Sequence, residues 1–171
     1  MNILKYMREL EVYMNKIKFF IFMISLIVID QISKVLIVMN KEVLPKTIIN
    51  GLLNITYCEN RGIAFGFASG HVHFFSILTL VLLVIITIVV YLKFDKMNGL
   101  YSVGAAMLIA GGIGNFIDRA FRLYVVDFID IRLFEFPIFN IADICVVLGV
   151  IVIGIASVIN YRREEANGNN S

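Results

Sequence analysis

Two carboxylates, Asp127 and Asp143, stand near the ends of long apolar stretches in a chain of 171 residues. An ionisable group at membrane depth is costly and normally faces a bundle interior or a wet cavity, so each marks a functional-site hypothesis. Two carboxyl groups brought close together cannot easily both ionise. Sharing one proton, one can activate water as a base while the other protonates a leaving group. Val125, Val126 and Phe128 set Asp127 in an apolar, extended context where burial would raise its pKa; a solvated loop acid is the alternative. Asp143 comes three residues after Asn140 and soon after Pro137, so on its own it reads as an acid complementing a helix start, with Asn140 as the N-cap. What favours chemistry is the short connection between the third and fourth apolar stretches, which lets both acids reach one mouth of the bundle.

Other polar residues fall in ordered blocks. Asp30 and Lys34 are four apart in the first apolar stretch, the acid N-terminal to the base, which reads as a buried ion pair in a supporting role. Asn115, Asp118, Arg119 and Arg122 share one helical face at the end of the third stretch, behind Gly104, Gly111 and Gly112, whose small size allows close helix approach. The Lys and Ser or Thr of a phosphate-cradling loop are missing there. His71 and His73 lack an obvious third partner and read as interfacial histidines, so no metal site is expected. Cys58 and Cys145 differ in context, only the second lying in an apolar run, and are expected as free thiols.

The elements that must position these residues are long and apolar. Sixty per cent of the chain is hydrophobic and 16% charged, which excludes an ordinary soluble domain, and a net charge of +2 implies no nucleic-acid partner. Four stretches, residues 18–39, 72–92, 99–118 and 139–161, are each long enough to span a bilayer. Lys5, Arg8, Lys16, Lys18, Lys93, Lys96, Arg162 and Arg163 fall on one side of such a bundle, which makes both termini cytoplasmic; the bias is mild. On the other side, residues 43–57 carry strand formers broken by Asn50 and Gly51, a hairpin signature. Residues 60–69 read as a loop or short interfacial helix, and residues 124–138 as a segment over the same outer surface. The expected fold is an all-α membrane protein of four transmembrane helices with a small β-rich outer-face element. Its divisions are residues 1–13, a dispensable N-terminal cytoplasmic extension or a mis-assigned start ahead of Met14; a four-helix domain (14–161); and a cytoplasmic tail (162–171), polar and disordered from Glu164 to Ser171.

Taken in order, five blocks resemble the lipoprotein signal peptidases, also called signal peptidase II. They are Asp30-Gln31-Ile32-Ser33-Lys34; Asn60-Arg61-Gly62-Ile63-Ala64-Phe65; the run from Gly111 to Arg119; Val125-Val126-Asp127-Phe128; and Phe139-Asn140-Ile141-Ala142-Asp143. The resemblance implies an intramembrane aspartic endopeptidase that cuts prolipoproteins just before a diacylglyceryl-modified cysteine. It implies Asp127 and Asp143 as the catalytic pair, with Asp30, Lys34, Asn60, Gly62, Asn115, Asp118, Arg119 and Asn140 shaping the site or holding substrate. It implies no cofactor, membrane lipid as a partner, a monomer, and a site near the outer face of the bacterial cytoplasmic membrane. Ile63 and Ile144 depart from residues common in that family, which bears on substrate preference rather than on the reaction. A proton-coupled transporter is the alternative from another class, but its acids would lie near the midplane between repeated halves, and no repeat is present. An assembly factor without chemistry would leave the polar blocks unaccounted for.

Overall fold

The computed structural model describes residues 3–62 and 72–168, and the chain order of its elements is α1 (Ile3–Met39), β1 (Lys46–Ile49), β2 (Leu53–Asn60), α2 (Val72–Lys93), α3 (Gly99–Phe121), β3 (Val125–Ile131) and α4 (Ile141–Gly168). All four helices contain a segment long and apolar enough to cross a membrane. Their outward faces carry exposed Ile21, Leu36, Ile85 and Ile151, as expected where the solvent is lipid. The mostly helical fold with a small sheet agrees with the sequence.

The helices extend further than their apolar cores. α1 already begins at Ile3, so the N-terminal extension is helical, and α4 continues to Gly168, through much of the tail expected to be disordered from Glu164 onward. Once a spanning helix has paid for nucleation, each added residue gains a hydrogen bond, and good helix formers such as Arg162, Arg163, Glu164 and Ala166 prolong it.

Helix α3 is the hub, packed against α1, α2 and α4. Small residues set its approach to α4: a Cβ on Gly104 would lie 3.0 Å from the Gly149 carbonyl, and one on Gly111 would collide with the Ala142 carbonyl. A Cβ on Gly114 would come within 2.5 Å of Asp30 Oδ2, so α1 also depends on a missing side chain. At the end of the bundle away from the sheet, Lys16 pairs with Asp95 at 3.0 Å and Asn98 caps α3 through Tyr101 N at 2.9 Å. Phe19, Phe94, Ala105, Ala106 and Ile109 close the apolar core at that end.

The opposite end carries a three-stranded antiparallel sheet in the order β1-β2-β3. The hairpin expected at Asn50-Gly51 is present, with Gly51 at φ +72°. The third strand was not expected as such. β3 is buried on both faces over its first four residues, so it lacks the alternation that announces a half-buried strand. It follows α3 almost at once, through Leu123 at φ +64°, a conformation normally left to glycine or asparagine. The strand then doubles back: Phe128 N and Ile129 N both donate to the Phe139 carbonyl, and Phe139 N donates to Ile129 O. That pairing brings Asn140, at the threshold of α4, beside Asp127. Residues 63–71, with Ile63 and most of the 60–69 segment expected as a loop or short interfacial helix, lie outside the described residues, as do the side chains of His71 and His73.

Candidate functional site

The sheet end of the bundle holds one continuous polar network. Lys34 is fully buried, and its ammonium meets Asp30 Oδ2 at 3.0 Å, Asp118 Oδ2 at 3.1 Å and Asn115 Oδ1 at 3.0 Å. Three acceptors satisfy its three protons, the condition under which a buried charge is tolerated. Asp30 Oδ1 accepts from Ala142 N at 2.9 Å, tying α1 to the first turn of α4. Asp118 Oδ2 accepts from Val126 N at 3.0 Å, tying α3 to β3. The other oxygen of Asp118 pairs with Arg122. No buried polar side-chain atom among the described residues lacks a partner.

Asp127 and Asp143 are joined through two asparagines. Asn140 Nδ2 donates to Asp127 Oδ1 at 2.6 Å, and Asn60 Nδ2 donates to Asp127 Oδ2 at 2.8 Å. Asn60 reaches Asp127 diagonally across the β2-β3 ladder, where Cys58 is the direct partner of Asp127 and Asn60 that of Val125. Asn60 Oδ1 in turn accepts from Gly62 N at 3.0 Å. Around Asp143 the backbone forms a reciprocal cap: Asn140 Oδ1 accepts from Asp143 N at 3.0 Å, while Asp143 Oδ2 accepts from Asn140 N at 3.2 Å. Asp143 Oδ1 takes a third bond, from Asn115 Nδ2 at 2.7 Å. Asn115 cannot turn its amide round, because its Oδ1 is held by Lys34 Nζ and by Asn140 Nδ2 at 3.1 Å.

The two acids occupy different surroundings. Asp127 is 2% exposed, whereas Asp143 is half-buried. Burial, aided by the nearby Asp143 charge, pushes the Asp127 carboxyl up to about 6 against the hydrogen bonds from Asn60 and Asn140, which hold it down. The same burial, together with Asp127 opposite, raises the Cys58 thiol; Cys58 and Cys145 are both free. Half-buried Arg119 donates to Asn115 O at 3.3 Å, and Asp143, Asp127 and Asp118 are its electrostatic neighbours. Thus all ten residues singled out in the sequence lie in or against this network. Gln31 and Arg122 were not assigned to it. Gln31 Nε2 reaches Asp30 Oδ2 and Gly114 O, both at 3.1 Å, and its Oε1 lies 3.4 Å from Arg122. The available signal was its place between Asp30 and Lys34. Among the described residues no group of three or more His, Cys, Asp or Glu is arranged to hold a metal ion.

A bundle of spanning helices with a carboxylate-rich polar centre under a small sheet defines a polytopic membrane protein built around a reactive site. Residues 22–159 match the family described as signal peptidase (SPase) II. A lipoprotein signal peptidase of Staphylococcus haemolyticus (strain JCSC1435) is 40% identical over 136 residues, 78% of this chain and 85% of the relative. A bacterial membrane enzyme solved at 2.3 Å superposes with a TM-score of 0.74 at 35% identity, over 84% of this chain and 89% of that one. A second, solved at 1.9 Å, gives 0.71 at 36% identity, over 81% and 91%. The chain belongs to the signal peptidase II family. It is a bacterial membrane protein and an aspartic peptidase.

Proposed function

We propose that Asp127 and Asp143 are the catalytic pair of an endopeptidase that removes the signal peptide of prolipoproteins, cutting just before a cysteine that carries a diacylglyceryl group. The observation that carries this reading is the double reach of Asn140, whose side-chain amide holds Asp127 while its backbone N–H holds Asp143. Asp143 is the base: it sits in the first turn of α4, where Asn115 Nδ2 and Asn140 N donate to its two oxygens and fix their direction. Asp127, pushed up to about 6, is the acid. In the forward step Asp143 takes a proton from water as the water oxygen bonds to the scissile carbonyl carbon. Asp127 then gives its proton to the amide nitrogen as the C–N bond breaks, and the proton on Asp143 restores the pair. One water is consumed.

Lys34, Asp30 and Asp118 position the pair by locking Asn115 and the start of α4. Asn60, Gly62 and Asn140 hold Asp127 in place, and Arg119 supplies positive charge beside both acids. The enzyme works as a monomer; both termini are cytoplasmic and the sheet lies at the outer membrane surface, an orientation supported by Lys16, Lys18, Lys93 and Lys96 at the opposite end of the bundle. Two acyl chains hold the substrate in the bilayer, each methylene contributing about 0.8 kcal/mol, and present the scissile bond at that surface. The test is incubation of purified protein in membranes with one prolipoprotein, with and without the diacylglyceryl group. Cleavage of the modified form alone supports the assignment; equal rates for the two forms overturn it.

A further inference from the structure

The connection from β3 to α4 turns over residues 132–135, and it carries three large apolar side chains, Leu133, Phe134 and Phe136, exposed by 67%, 60% and 47%. Turns that face water are built from small polar residues, glycine and proline, and clustered exposed apolar side chains mark a surface meant to meet something else. The surroundings of this turn identify the partner. Its rings run without a break to the start of a spanning helix: Phe134 packs edge-on against Phe136 at 5.7 Å, and Phe136 against Phe139 at 5.6 Å, next to the α4 threshold. Beyond that threshold α4 exposes Ile144, Val147 and Leu148, within a segment that crosses the membrane. The apolar turn therefore continues a surface that already faces lipid. Arg132 precedes it, paired with Asp130 at 2.7 Å, and Glu135 lies within it between the two rings; long charged side chains of this kind can reach a headgroup layer while apolar neighbours go deeper.

We propose that residues 133–136 form a bilayer anchor, with Leu133, Phe134 and Phe136 inserted among the headgroups and upper acyl chains of the leaflet on the sheet side. The occupant of this surface is phospholipid rather than a protein or the substrate peptide. The proposal goes beyond the catalytic reading and does not depend on it. It does add a positional consequence: Phe139 is paired by backbone hydrogen bonds to β3, so the depth of the turn sets the height of the Asp127 end of the sheet above the lipid.

The chain has no tryptophan, so Phe134→Trp introduces a single fluorescent reporter that keeps an aromatic ring against Phe136. The full-length variant is placed in phosphatidylcholine vesicles whose acyl chains are unbrominated, brominated near the glycerol end, or brominated near the methyl end, with no substrate present. Blue-shifted emission, quenched at least twofold more by bromine near the glycerol end than near the methyl end, is the expected result. Emission like that in water and unquenched by either lipid would overturn the anchor. Blue-shifted but unquenched emission would also overturn it, since protein would then cover the turn, as would strongest quenching from the methyl end. Phe136→Trp repeats the measurement if the first variant fails to accumulate, with the same readings for and against.

Discussion

Replacing Lys34 by methionine removes the one cation that touches Asp30, Asp118 and Asn115 together. Before the change the cluster of Asp30, Lys34, Asp118 and Arg122 is neutral; afterwards it carries one uncompensated negative charge in a dry site. Breaking a buried pair by deleting one partner costs about 3–5 kcal/mol. Asp118 keeps Arg122, and Asp30 keeps Ala142 N and Gln31, so the lower end applies. A loss of about 3 kcal/mol corresponds to a fall of roughly 6–12 °C in Tm for a chain of this size. The double variant Lys34→Met/Asp30→Asn restores neutrality and is expected to recover at least half of that loss. Thermal unfolding of the purified proteins in one detergent measures both. The reasoning fails if the single variant melts within about 2 °C of the parent, or if the double variant melts no higher than the single one. Proteolysis adds a second readout: the Lys34 charge helps to lower the Asp127 pKa, so in any surviving activity the alkaline limb of the rate profile moves to higher pH.

Asp127→Asn and Asp143→Asn are each expected to abolish cleavage while the protein still accumulates in membranes; substantial cleavage by both would refute the pair. They should differ in stability. Asp127 has a folded-state pKa raised from 3.8 to about 6, so its ionisation costs stability as pH rises through that window, and the cost is fully present above about 6. Asp127→Asn should therefore be more stable than the parent by roughly 1–3 kcal/mol at neutral pH, with the gain vanishing toward pH 4, as denaturation at several pH values would reveal. If Asp127 is the acid, kcat/KM should fall above about pH 6, and loss of that limb in no variant but those touching Asp127 would identify its source. Gly111→Ala should destabilise by about 1–3 kcal/mol and lower kcat, because its methyl meets the Ala142 carbonyl and lies 3.0 Å from Val146 N, levering the start of α4 off α3. Cleavage should persist in a strong chelator; inhibition reversed by one divalent metal would show that a cation takes part.

The four spans were legible because twenty-residue apolar runs have few other readings, and the hairpin because Asn50-Gly51 names its own turn. Asp127 and Asp143 stood out for being charged where charge is expensive. What the sequence did not reveal was the role of amides. Nothing in its position marks Asn115 as the pivot held by Lys34 on one side and holding Asp143 on the other, because that role exists only after α1, α3 and α4 converge. The extended character of the stretch around Asp127 was legible, but its place as a third strand was not, because pairing with β2 is fixed only once the hairpin and α3 are brought together. The helical ends of α1 and α4 carry no long apolar run to announce them, although the helix propensity of their residues is good.

The two acid–base pairs within single helices bear on how such a chain enters a membrane. Asp30 and Lys34 lie one turn apart on α1, and Asp118 and Arg122 lie one turn apart on α3. The Asp30–Lys34 pair of α1 thus leaves the translocation machinery with its charges matched, sparing that helix a cost of roughly 2.5–3.5 kcal/mol per unpaired charge, and Asp118 of α3 likewise brings Arg122 as its own counter-ion. Only when the segments meet does Lys34 acquire Asp118 as a second carboxylate partner, an exchange open to no isolated helix. For this cluster insertion and assembly are in this way separable: Asp30 and Lys34 enter as each other's counter-ions, and the Lys34 charge is shared with α3 only afterwards.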